Sequence, residues 1–496
     1  VPETTPHTTS TAASGTTGST APARGVRAWT RDSDRPLVFE FAGVTRYVPL
    51  VVTLGLFVVS WSLVVLGPID WHLTDPGRVH LFLACATLAF VAGYAVAVRW
   101  RRTTTATGRS PLSASALVTA GAVVYLLLYV PVTWTTTGDW VPDVWHGLRD
   151  AGSAYAENKR LNESVTPVFL YVRMLVAPLT ILLFPLTLFL WPRLSRPARA
   201  LGVLCVLLSV ALTIAQGINR GVAEFSGQLV LFLVLVAGSS LSRERRGRLV
   251  RSLVGIVLVV ACFFAYYATT MNSRIEADGA ADESSSTDDD TDERMRDTAM
   301  IGVATTREDN PFFDLVPPAL QSEGLILSSY LTHGYRGLSL AMDEDFTPTW
   351  GLGFSEFYRH NLLRVAGQAD REEAVEARTY AGKLIDQGWP DGMVWSTFFV
   401  HPASDLGFPG VVVLMALIGF ALGLSWRDTL ERGDPLAAGV FFHLCILVFY
   451  LPANNQLFQG GELAIGFTVV TGAWLLLRRR GRAEVDRTPV TEVPAR

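Results

Sequence analysis

The chain has 496 residues, of which half are hydrophobic and only 17% are charged, and its net charge is −4. Its mean hydropathy is +0.32, which excludes an ordinary soluble domain of this length. The apolar residues fall in blocks of about 20, the length at which an α-helix crosses a bilayer core, so the chain reads as an all-α polytopic membrane protein. The small net charge says little, because the charges are segregated, and no nucleic-acid partner is expected. Cys85, Cys205, Cys262 and Cys445 all sit inside apolar blocks without metal-ligand spacing. Neither a disulfide framework nor a zinc site is therefore expected.

Residues 1–45 open the chain as a Thr/Ser/Ala/Gly/Pro-rich tail, expected to be disordered and cytoplasmic. They are mostly polar, and no secretory signal peptide is expected among them. Spans are then expected at about 47–67, 79–98, 112–134, 167–190, 200–216, 222–239, 252–270, 407–425, 436–453 and 462–477. This gives ten, with helices one to seven within 46–270 and eight to ten within 407–478. A tail at 479–496 follows.

Arginine placement tests the count. Arg99, Arg101, Arg102 and Arg109 follow span two; Arg193, Arg196 and Arg199 follow span four. Arg243, Arg245, Arg246, Arg248 and Arg251 follow span six; Arg427 and Arg432 follow span eight; Arg478, Arg479, Arg480 and Arg482 follow the last. With ten spans all of these share one side, and the positive-inside bias makes that side cytoplasmic. Both termini are then inside, and segment 271–406 is one large extracytoplasmic loop.

Within that loop, 276–298 is an acidic run interspersed with Ser and Thr, expected to be a disordered insert. It lacks the central Gly and closing Glu of an EF-hand. From about 318 the loop becomes helical, with Leu327, Leu331, Leu338 and Ala341 on one stripe and His333 and Arg336 on another face. Residues 368–386 read as a charged surface helix. The shorter loop 135–166 carries WHGLRDAGSAYAENKRLNES, which reads as an amphipathic helix.

Several polar residues are candidates for chemistry. Arg173 lies inside span four, where a charge must face a bundle interior or snorkel to the interface. Arg220 sits in the turn GINRG, where a guanidinium fork matches phosphate oxygens; the alternative is simple turn chemistry. Lys159 and Arg160 lie on the helix of the second loop, as binding cations or as a solvated face. His333 and Arg336 suit a base and a charge stabiliser. Glu356, Arg359 and His360 form a second polar cluster. His401 and Asp405 are four apart before span eight, where Asp405 also suits helix capping. Glu462 opens the last span as a further buried-carboxylate candidate. Phosphate-binding Gly loops, HExxH and GxSxG are all missing from the sequence.

W-S-T-F (395–398), S-D-L-G-F-P-G (404–410) and the apolar span that follows resemble the Wzy-type O-antigen and oligosaccharide repeat-unit polymerases. GINRG (217–221) resembles the mid-chain Arg turn of those proteins and of the related O-antigen ligases. ENKRLNE (157–163) resembles their arginine-bearing periplasmic helix. The resemblance implies a GT-C-like glycosyltransferase of the bacterial cell membrane. Such an enzyme moves glycan from an undecaprenyl-diphosphate donor to a hydroxyl of another lipid-linked repeat unit. It implies no cofactor, no nucleotide sugar and no metal, and as partners the two lipid-linked glycans with a chain-length regulator or flippase. It also implies that Arg160, Arg173 and Arg220 clamp the diphosphate, that His333 or His401 is the base, and that Asp405 orients or anchors. The rival readings are an O-antigen ligase, another lipid-linked-sugar transferase and a lipid-linked oligosaccharide transporter.

Overall fold

The structure is a computed structural model that describes residues 43–99, 112–163, 167–241, 246–281, 302–389 and 394–487. The N-terminal tail, most of the acidic insert and the last residues of the C-terminal tail lie outside the described residues. Among the described residues the regular structure is helical, apart from one antiparallel pair of two-residue strands, β1 (Ile69–Asp70) and β2 (Thr305–Thr306).

The helices in chain order are α1 (Val48–Leu66), α2 (Pro76–Arg99), α3 (Ala114–Thr137), α4 (Val144–Arg149), α5 (Ala151–Glu163), α6 (Pro167–Thr180) and α7 (Leu183–Phe189). Then come α8 (Arg196–Ala215), α9 (Asn219–Leu241), α10 (Arg246–Ala281), α11 (Pro311–Leu315), α12 (Gln321–Thr332), α13 (Gly334–Asp343) and α14 (Glu356–Val365). The last are α15 (Glu372–Glu376), α16 (Tyr380–Asp386), α17 (Thr397–Arg432), α18 (Pro435–Phe449), α19 (Gln456–Gln459) and α20 (Gly461–Arg487).

Among the described residues, nine helical stretches are long and apolar enough to cross a membrane. The tenth expected span, 436–453, is instead the 15-residue helix α18. It is short because the chain leaves it at Tyr450 and turns to meet the start of α17. There Ala453 and Leu451 carbonyls accept from the Thr397 and Phe398 N–H groups (2.8 and 3.0 Å). Nearly every residue of α18 is buried, so it forms the centre of the bundle. Span four is split into α6 and α7, because Pro185 has no N–H for the Ile181 carbonyl and its ring crowds that oxygen. Helix α10 runs on to Ala281, so 276–281 is helical rather than disordered.

Contacts place several arginine clusters at one end of the bundle. The Arg193 guanidinium donates to the Arg432 carbonyl (3.2 Å), and Arg478 pairs with the buried Asp428 (2.7 Å). Ala97, beside Arg99, packs on Gly423. The other end carries 302–389 and is called the loop face below.

Helices α2 and α17 run parallel. Gly93 and Gly419 let the Ala416 and Phe90 carbonyls approach where a Cβ would collide, the close packing that small residues permit between apolar helices. Phe82 packs edge-on against both Phe408 and Phe399 (each 5.4 Å between ring centroids). Phe399, Tyr335 and Leu451 also meet Ala86 and Met415 around one small gap. Ala86 lies about 15 Å along α2 from its first turn. Residues 394–400, α13 and 450–453 therefore descend into the bundle between α1, α2 and α17. The chain then climbs to Gly407, where φ is +64° and ψ is 165°, and turns back down α17. Only glycine adopts that conformation readily.

The helix expected from 318 to 343 is broken at His333, and its buried face is not the expected stripe throughout. Leu338 and Ala341 are fully buried, but Leu325, Ile326, Ser329 and Thr332 fill the core ahead of Leu327 and Leu331. Gly334 and Gly337 bring α13 against the Pro452 carbonyl and Ser396, positions with no room for a Cβ. Tyr335 shares a hydrogen with Ser60 of α1 (2.8 Å), and Trp71 donates to Thr332 (2.8 Å).

Candidate functional site

A cavity of about 360 Å³ opens between α3, α6–α7, α8 and the start of α20. Its walls mix apolar side chains with Tyr125, Tyr129, Ser209 and Gln216, and Arg173 and Glu462 also line it. Arg173 comes from about two turns inside α6, and Glu462 from the first turn of α20. Their side chains meet at 2.5 Å and are 21% and 40% exposed, so the pair is reachable from the cavity. Gly461 lets Met174 and Phe357 close over the backbone beside Glu462. A carboxylate in a helix's first turn is favoured by the helix dipole.

Arg220 stands in the first turn of α9 and donates through Nε to Glu224 Oε1 (2.8 Å), one turn along the same helix. The Gln456 carboxamide lies against the same guanidinium, its oxygen toward the nitrogens in the hydrogen-bonding orientation. Gln456 opens α19 and Glu462 opens α20. The short turn 454–462 is thus bracketed by two arginine–glutamate pairs. Helix α14 covers this turn: Ser355 donates to the Phe458 carbonyl (2.7 Å), Tyr358 donates to the Ala464 carbonyl (3.0 Å), and Asn455 donates to the Phe354 carbonyl (2.6 Å).

Asp405 supports that cover from behind. Its Oδ1 accepts from the Thr349 hydroxyl (2.6 Å) and the Gly351 and Gly353 N–H groups (2.6 and 3.2 Å), and its Oδ2 from the Phe354 N–H (2.8 Å). Asp405 therefore anchors the loop 349–354, which leads directly into α14 and so to the turn between the arginines.

The other candidates lie apart from this pair. Arg160 is exposed and is forked by Glu157 (2.9 and 2.6 Å) on its own helix. That carboxylate raises the Arg160 pKa, and Lys159 beside it is exposed too. The residue of ENKRLNE that reaches inward is Asn158, whose amide donates to the Thr136 carbonyl (2.8 Å). Gln216, in the cavity wall, donates to the Thr136 hydroxyl (2.7 Å), so α5 is tied to the cavity through α3.

His333 is 5% exposed and caged by Trp71, Tyr330, Trp389 and Trp395. Its Nδ1 hydrogen-bonds the Ser329 carbonyl (2.9 Å), and its Nε2 accepts from the Trp395 N–H (3.1 Å). Burial holds its pKa down at about 4. With both nitrogens engaged, the ring braces α12, α13 and segment 394–396, which is a poor arrangement for a base. Arg336 donates to the His72 carbonyl and so serves the α1–α2 loop. His401 is half-buried on α17 ahead of Gly407 and does not line the cavity. Glu356 is exposed, Arg359 pairs with Glu376 (3.1 Å), and His360 pairs with Glu372 (2.8 Å).

Glu224, Gln456, Asn158 and Gln216 were not singled out from sequence. Only Glu224 left a usable signal, as the i+4 partner of Arg220 on one helix face. No family model matches the chain, and neither a curated protein nor a solved structure is similar to it.

Proposed function

We propose that the chain is a membrane glycosyltransferase that polymerises lipid-linked oligosaccharide repeat units. It would transfer glycan from an undecaprenyl-diphosphate donor to a hydroxyl of a second lipid-linked unit. The observation that carries this reading is the Arg173–Glu462 pair in the wall of a largely apolar cavity within the helical bundle. An intramembrane arginine marks a site for an anionic group, and the apolar wall suits a lipid attached to it. The resemblance of 217–221 and 395–410 to repeat-unit polymerases supplies the glycan. The positive-inside bias puts the loop face, and with it the reaction, outside the cytoplasm.

The same pair suggests a mechanism. Donor diphosphate takes the Arg173 fork, which matches phosphate oxygens and stabilises the charge that builds on the leaving group. The exchange releases Glu462. The acceptor hydroxyl oxygen attacks the donor's anomeric carbon, the bond from that carbon to the phosphate oxygen breaks, and the hydroxyl proton passes to Glu462. In this reading Glu462 replaces His333 and His401 as the base, and Arg160 has no direct part.

The test is glycan profiling of a strain lacking the protein, complemented with wild type, Arg173→Ala or Glu462→Gln. Polymerisation requires that both variants lose long polysaccharide and accumulate single lipid-linked units on the outer side. Full-length polymer left unattached to its final acceptor would instead mean a ligase. Accumulation on the cytoplasmic side would mean a transporter.

A further inference from the structure

A second cavity lies beneath the second arginine. It is a slot of about 140 Å³ between α1, α9 and α18, walled by Val52, Leu56, Gly227, Leu231, Cys445 and Phe449. Glu224, the partner of Arg220, lines it as well. Glu224, Gly227, Leu231 and Val234 follow one another along a single face of α9, so the slot runs down that helix from the arginine into the apolar bundle. Gly227 opens it: the nearest atom to a Cβ there would be Phe449 Cε2 at 3.9 Å.

The two cavities are separate. They share no lining residue. Phe184, in the wall of the first, packs against Phe225 of α9 and Phe442 of α18 (5.2 Å to each ring), and these aromatics stand between them. Each arginine has its own carboxylate and its own apolar recess, and the turn 454–462 lies between the pairs. One phosphate clamped by both arginines would leave a recess without a purpose. A reaction between two lipid-linked glycans needs two lipid anchors.

We infer that the slot under Arg220 is a second lipid site, which takes the isoprenoid chain of a second polyprenyl-phosphate-linked glycan. Its head lies at Arg220 while the first lipid occupies the Arg173 cavity. The slot is smaller than the roughly 300–1,000 Å³ usual for drug-sized ligands, so it seats only a short length of one chain, the segment nearest the head. That the occupant is a second polyprenyl-linked glycan rests on the polymerase reading; the second apolar recess below an arginine does not.

The experiment is a titration of the full chain in detergent with undecaprenyl diphosphate, counting bound molecules by native mass spectrometry. Wild type is expected to take up two equivalents. Gly227→Leu and, separately, Ala223→Leu fill the slot and are expected to take up one, retaining the first equivalent as evidence of a folded bundle. Ser209→Phe, in the first cavity, is expected to take up the other one. Saturation of wild type at one equivalent overturns the inference, as does uptake of two by both slot variants. It is also overturned if phosphatidylglycerol fills the second site equally well and is lost in Gly227→Leu, because the slot is then a general lipid groove. If two lipids bind as expected but polymer is made normally without the protein, the polymerase reading falls and the two-lipid site stands.

Discussion

Arg173 and Arg220 each face a single glutamate on the turn side of the bundle, and the phosphate binding proposed for them depends on a planar fork. Lysine keeps the charge and loses the bidentate geometry. Arg173→Lys and Arg220→Lys are each expected to lower polymer yield at least about tenfold, the effect of losing roughly 1.4 kcal/mol of transition-state stabilisation. Membrane insertion should be unchanged. Wild-type yield from Arg220→Lys would reduce that residue to a turn former. His333 makes a different prediction. Its folded pKa of about 4 lies below its ordinary 6.5, so the unfolded chain binds the extra proton between those values. Its contribution is therefore complete above about pH 6.5 and falls with pH by roughly 1.4 kcal/mol per unit toward pH 4. Protection factors at 334–342 and 394–399, normalised to the intrinsic exchange rate at each pH, should fall from pH 7.5 to 5.5 in wild type, with a much smaller change in His333→Phe. Asp405→Asn keeps one acceptor oxygen and sets an NH₂ against the Phe354 N–H, at an expected cost of about 1–3 kcal/mol. Proteolysis within 344–354 should report it.

At the scale of elements, the break in α17 decides how the loop face is built. A straight helix over its 36 residues would be about 54 Å long, whereas α18 spans only about 22 Å before its end meets Thr397 and Phe398. The two fit only because Gly407 reverses the chain. Gly407→Ala places a side chain in a conformation almost confined to glycine, at roughly 1–3 kcal/mol. The expected results are a lower thermal midpoint and lower yield, with spans before α11 still inserted. This reversal was hidden in the sequence. The span at 407–425 was legible from its apolar run, but 394–400 fell within the expected extracytoplasmic loop. Likewise the expected helix 318–343 passes through His333 without a visible stop. Only the burial of Gly334 and Gly337 against Pro452 and Ser396 explains why it divides there.

The whole molecule is a helical bundle with an arginine-rich end and a loop-bearing end, and those ends carry its orientation. Single cysteines introduced on a cysteine-free background test it. A membrane-impermeant maleimide applied to intact cells should label positions 351 and 365 and spare positions 196 and 247. The reverse pattern would invert the topology and put the Arg173 cavity mouth in the cytoplasm, which excludes extracytoplasmic polymerisation. The two recesses also belong to this scale, because neither is made by one element. The first needs α3, α6–α7, α8 and α20, and the second needs α1, α9 and α18.

Sequence by itself determined the membrane class, nearly all the span positions and the gathering of the clusters around Arg99, Arg193, Arg432 and Arg478 at one end. Hydropathy and positive charge act over whole segments, so they survive without knowledge of packing. It also marked Arg173 and Glu462, since a charge among lipid tails is costly wherever it occurs, and Arg220 from its place in the turn GINRG. Tertiary structure decided what each of them meets. Arg173 finds Glu462 across nearly 290 residues of chain, and Arg220 finds Gln456 across about 236. It also enclosed His333 in tryptophans and gave Asp405 a loop to hold. Those pairings depend on side chains brought together by helix packing and by the reversal at Gly407, and no local pattern in the sequence records them.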